Sequence, residues 1–77
     1  MSNTAQNTSN LIRFGKRVAE LRKNNGLTQQ QLADKTGMSL VSIAYIETGK
    51  RWVRLVTLDK IANALNVEIS DLLKFKN

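Results

Sequence analysis

Six carboxylates, Glu20, Asp34, Glu47, Asp59, Glu68 and Asp71, are the only acidic side chains in this sequence of 77 residues, which contains no Cys and no His. Lacking thiol and imidazole groups, the chain cannot supply a thiolate nucleophile, a histidine base or the usual ligands of zinc and transition metals. An enzyme is therefore not expected, and neither is a catalytic residue, a metal, a cofactor or a small-molecule ligand. The positive side chains carry more information. Twelve Lys and Arg leave a formal net charge of +6, a balance that attracts polyanions and puts nucleic acid first among partners. Lys50, Arg51 and Arg54 place three of those charges within five residues, a cluster whose plainest reading is a solvated charge run.

The length bounds what can hold these residues. A chain of 77 residues, 42% apolar and 5% aromatic, makes one small domain. Ordering it costs about 1.5 kcal/mol per residue, so a lone core of this size closes the balance only narrowly and a partner is expected. Residues 1–12 carry no Lys or Arg, and the longest unbroken apolar run is Ile43-Ala44-Tyr45-Ile46. A secretory signal needs a basic start and roughly 7–15 apolar residues, and a spanning helix needs about 20. The expectation is a cytoplasmic protein with no membrane partner.

Helical spacing governs the chain and nothing alternates with period two, so the fold class is all-α with five helices. Residues 1–9 are almost wholly Ser, Thr, Asn and Gln and read as a flexible polar arm, leaving 10–77 as the domain. Leu11, Phe14, Val18 and Leu21 then define a first helix over roughly 10–25, stopped by Gly26. Thr28-Gln29-Gln30-Gln31 has the form of a capping box, opening a second helix over 29–36 that Gly37 ends. Ser39 caps a third over 40–48, closed by Gly49. Thr57 is the expected cap of a fourth helix carrying Leu58, Ile61, Ala62 and Leu65 and ending at Asn66, and Ser70 that of a short fifth.

Only Gly37, Met38 and Ser39 separate the second and third helices, which forces a steep crossing of helix-turn-helix type. Around the third helix, at about 100° per residue, Ile43, Ile46 and Glu47 gather on one side and Val41, Tyr45 and Thr48 on the other. An uncharged, partly apolar outer side suits a DNA major groove, where aliphatic groups touch thymine methyls and hydroxyls bond to bases or phosphates. It suits packing against another protein equally well.

Leu27-Thr28-Gln29-x-x-Leu32-Ala33, Gly37-Met38-Ser39, Ile43, Ile46-Glu47-x-Gly49-Lys50-Arg51, Leu58-x-x-Ile61-Ala62-x-x-Leu65-x-Val67 and Leu72-Leu73 together resemble the helix-turn-helix domain of phage repressors, Cro proteins and restriction-modification controller proteins, the XRE or Cro/CI family. The resemblance runs from about Phe14 to Leu73. It implies a five-helix fold like that of lambda repressor, in which 40–48 is the recognition helix and Ser39, Leu40, Val41, Ser42 and Tyr45 meet base edges. In several relatives the positions of Leu40 and Val41 hold hydrogen-bonding residues, so their apolar character here favours methyl contacts or indirect readout. Thr28, Gln29, Thr48, Lys50, Arg51 and Arg54 match phosphate-contacting positions, with ordinary capping the rival role for Gln29. Arg22 and Glu47 match a buried structural ion pair. Gly15, Val18, Leu21, Leu27, Leu32, Ala33, Met38, Ile43, Ile46, Leu58, Ile61, Ala62 and Leu65 match scaffold. Val53 stands where the family commonly has proline, which leaves the loop shape open.

The implied function is a sequence-specific regulator of transcription that binds double-stranded DNA as a homodimer on an inverted repeat. Two recognition helices about 34 Å apart would double the base pairs read. Trp52, Val56, Ile69, Leu72 and Phe75 are the interface candidates, each with burial inside its own chain as the alternative. A contact with RNA polymerase belongs to the same expectation. The main rival is an antitoxin-like module that binds protein first and DNA second. A basic membrane-surface peptide, drawn from Arg13, Lys16, Arg17, Arg22 and Lys23, is the remote one.

Overall fold

The computed structural model describes residues 4–75. Five helices follow in order: α1 (Thr4–Asn24), α2 (Gln29–Thr36), α3 (Leu40–Glu47), α4 (Leu55–Leu65) and α5 (Ile69–Leu72), with no strand among the described residues. None is long and apolar enough to cross a membrane.

Local chemistry accounts for the tight geometry around α2. The Thr28 hydroxyl accepts from the Gln31 backbone N–H at 3.0 Å, and the Thr28 N–H donates to Gln31 Oε1 at 2.8 Å. Each satisfies a donor that the first turn leaves without a helical partner. At the other end Gly37, at φ 71°, takes the left-handed conformation that closes the helix. Two residues later Ser39 accepts from the Ser42 N–H at 3.0 Å and starts α3. Thr28→Ala should lower stability by about 1 kcal/mol, read as a fall in the thermal midpoint; an unchanged midpoint would mean that water caps the helix equally well.

The core is assembled from one stripe of each helix. Phe14, Val18, Leu32, Ile43, Ile46, Ile61, Leu65 and Leu72 have their large side chains fully enclosed, with Leu21, Ala33, Leu58 and Ala62 completing the layer. Helix α1 packs on α3 and α5, α2 on α3 and α4, and α4 on α5. Polar bonds fix the ends: Arg17 Nε donates to the Asp71 carbonyl at 2.9 Å, and Asn25 Nδ2 donates to the carbonyls of Leu21 and Leu65 at 2.9 and 3.2 Å.

Several expectations from sequence need correction. Residues 4–9 continue α1 instead of forming an arm, and residues 1–3 lie outside the described residues. Extending an existing helix fixes one residue per hydrogen bond and avoids the cost of nucleation, so a polar segment can be added cheaply. Helix α4 starts at Leu55, capped by the Arg54 backbone with no side-chain bond, instead of at the Thr57 cap. Helix α5 is preceded by Glu68, not Ser70. There the Glu68 N–H donates to Asp71 Oδ2 at 3.0 Å, and this bond, followed by the Lys74 ammonium, holds the Asp71 carboxyl below its ordinary pKa. Leu72, offered as a dimer contact, is fully enclosed in its own core. Val53, where the family commonly has proline, is also buried and anchors the loop between α3 and α4 to the core.

Candidate nucleic-acid interface

Helix α3 divides cleanly into two faces. Ile43 and Ile46 point into the core with no exposure, while Leu40, Val41 and Tyr45 are 42%, 57% and 42% exposed. The outer face therefore holds two aliphatic groups, a phenol and the hydroxyls of Ser39 and Ser42, and carries no carboxylate. Ser39 also donates from its hydroxyl to Ser42 Oγ at 3.0 Å.

The one carboxylate of α3 is turned inward and neutralised. Arg22 Nε and Nη2 donate to Glu47 Oε2 and Oε1 at 2.6 and 3.0 Å, and Arg22 Nη1 donates to the Leu27 carbonyl at 2.6 Å. Both side chains are under 10% exposed. Gln29 adds a third helix to the pair, its Nε2 donating to Glu47 Oε1 at 2.9 Å. A carboxylate offers only acceptors, so the amide must face it with its nitrogen. A single buried group on α3 thus holds α1 and α2 at once. Sequence reasoning identified the Arg22–Glu47 pair but not the third member, whose capping and phosphate roles hid it.

The candidate phosphate contacts differ in the bonds they already make. Thr28 uses its oxygen as acceptor in the cap, which leaves its O–H available to donate. Gln29 has one amide N–H committed to Glu47 and a second uncommitted. Thr48 donates to the Ala44 carbonyl at 2.8 Å, so reaching a phosphate would cost it that bond. Lys50 and Arg54 are exposed and make no side-chain hydrogen bond or ion pair among the described residues. Arg51 differs from both. Its Nη1 donates to Ser42 Oγ at 3.0 Å and its guanidinium carbon stands 5.5 Å from the centroid of the Tyr45 ring, so it lies on the outer face of α3.

Of the residues proposed for a dimer, Trp52 and Val56 are 60% and 57% exposed, whereas Ile69 and Phe75 are half-buried against the core. The Trp52 ring also leans on Phe14, with centroids 6.0 Å apart and planes tilted by 52°. Leu55 and Leu73, which the sequence reading passed over, are exposed as well. Leu55 was hidden by placing the start of the fourth helix too late, and Leu73 by its enclosed neighbour Leu72.

A helix-turn-helix family model matches residues 18–72. The control protein C.MunI of Mycoplasma sp is 39% identical over 62 residues, covering 79% of this chain and 84% of that protein. The control protein C.BamHI of Bacillus amyloliquefaciens is 36% identical over 70 residues, covering 88% and 86%. Among solved structures, the restriction-modification controller protein C.AhdI from Aeromonas hydrophila superposes with a TM-score of 0.81 at 39% identity, over 83% of this chain and 97% of that one.

Proposed function

The chain belongs to the helix-turn-helix family of DNA-binding transcription regulators, and on that premise we propose that it acts as a homodimer on an inverted-repeat operator, in the manner of a restriction-modification controller protein. The observation that carries this reading is the outer face of α3. Leu40, Val41 and Tyr45 stand exposed and free of carboxylates, and the Arg51 guanidinium lies over the same face. A solvated helix face has no need of such side chains, whereas a groove lined with thymine methyls and hydrogen-bonding base edges does. Thr28, Gln29, Thr48, Lys50 and Arg54 set the register on the phosphates, and Ser39, Leu40, Val41, Ser42 and Tyr45 supply base contacts.

Two copies are needed because one short helix meets too few base pairs for selectivity in a genome. Trp52, Leu55 and Val56, all exposed around the start of α4, favour an apolar seam there. Regulation follows from occupying a promoter, by covering it or by touching RNA polymerase, in the cytoplasmic compartment that holds the DNA.

Selection of bound fragments from random duplexes tests this directly. The protein should enrich a two-fold symmetric sequence, with log affinity falling linearly in log salt at about 0.9 per phosphate neutralised. Tyr45→Ala should relax choice at one or two neighbouring base pairs by roughly tenfold and leave the melting midpoint unchanged, since the ring is exposed. Failure to enrich any duplex would remove the DNA-binding reading, and a single unrepeated half-site with a monomeric protein in sedimentation would remove the dimer.

A further inference from the structure

Arg51 does not extend away from the domain as a loop cation would. Gly49, at φ 75°, turns the chain at the end of α3, and the Lys50 N–H donates back to the Tyr45 carbonyl at 2.8 Å. The next residue is thereby laid alongside the helix it has just left. Arg51 Nη1 reaches Ser42 Oγ at 3.0 Å, and its guanidinium lies over the Tyr45 ring at 5.5 Å, within the range of a cation–π contact. Ser42 and Tyr45 are three residues apart, so Arg51 spans one turn of the outward face.

On that face Leu40 and Val41 cannot form hydrogen bonds, and the hydroxyls of Ser39, Ser42 and Tyr45 bond to many base edges without strong preference. A bidentate donor is missing from α3 itself. We infer that Arg51 supplies it: carried into the major groove beside α3 and stacked on Tyr45, its fork donates to O6 and N7 of a guanine. The family resemblance matched this residue to a phosphate contact, whereas its position over Ser42 and Tyr45 groups it with the base-reading side chains. Only one of its five N–H donors is used by Ser42, so a pair remains for the base. Lysine at the same place would keep the charge and lose the fork. The inference rests on the DNA-binding reading above and adds the base chemistry that the interface takes.

The experiment uses the full chain and the duplex it selects. Wild type and Arg51→Lys are compared on randomised duplexes, and 7-deazaguanine, which lacks the N7 acceptor, is placed at each selected guanine in turn. Arg51→Lys should lose about ten- to hundredfold preference for guanine at one position per half-site while the slope of log affinity against log salt is retained. At that guanine the deaza base should weaken wild type and leave Arg51→Ala unaffected. Equal loss on all sequences, a salt slope lower by about one unit in Arg51→Ala and no sensitivity of wild type to any deaza substitution would assign Arg51 to the phosphates and overturn the inference. That result leaves selective DNA binding standing. A wild-type protein that selects no duplex removes both.

Discussion

Replacing Glu47 with alanine is expected to cost about 3–5 kcal/mol of folding stability, the penalty for leaving a buried charge without its counter-ion. Arg22 would keep only the Leu27 carbonyl, and Gln29 would lose the acceptor at the end of its amide. Folded domains are stable by roughly 5–15 kcal/mol, and a chain this short stands near the lower limit, so much of the variant should be unfolded at 37 °C. Urea denaturation provides the measurement. Arg22→Ala should cost a similar amount, and the double variant less than the sum of the two, with a coupling of about 0.5–3 kcal/mol because the same contact is broken in each. A loss below about 1 kcal/mol in Glu47→Ala would be the behaviour of an exposed pair and would contradict the enclosure of these side chains. The number is the cost of breaking the pair from one side; a well-packed apolar pair in the same space could be neutral.

Gly15→Ala tests the contact between α1 and α3 from the opposite direction. Helix propensity alone favours alanine by about 1 kcal/mol, so an isolated helix would gain. In this fold the added methyl would stand 2.7 Å from the Glu47 carbonyl oxygen and closer still to that of Ile46. These are backbone atoms at the C-terminal end of α3, so relief requires α1 and α3 to separate. The expected result is a net loss of about 1–3 kcal/mol, or about 4–8 °C in the melting midpoint per kcal/mol for a domain of this size. Operator affinity should fall as well, because the displaced carbonyls belong to the helix proposed to read DNA. A raised midpoint would show that the two helices can part at little cost.

The middle of the molecule was legible in the sequence because its signals are local. Thr28 and Gln31 cap each other, Gly37 closes α2, and Ser39 opens α3 two residues later, all within the reach of side chain to adjacent backbone. The start of α4 was not, since Arg54 caps it through the backbone alone and leaves no mark in residue type. Leu72 shows a second limit: an apolar residue is required both in a monomer core and in a dimer seam, and only the packing tells them apart. Gly15 matched scaffold by resemblance, yet that the position needs glycine because two helix backbones touch there is a fact of three dimensions. Arg51 belongs with these. Three cations in five residues look alike in sequence, and it is the left-handed turn at Gly49 that sends one of them back over α3.

Because Ile43 and Ile46 are fully enclosed while Leu40, Val41 and Tyr45 lie outside the buried core, the helix keeps its foundation and its lettering largely apart. Surface substitutions away from caps and cores usually change stability by less than about 0.5 kcal/mol, so the outward residues are open to replacement one codon at a time. If these residues read DNA as proposed, a lineage carrying this frame can exchange one binding sequence for another without first acquiring a stabilising change elsewhere.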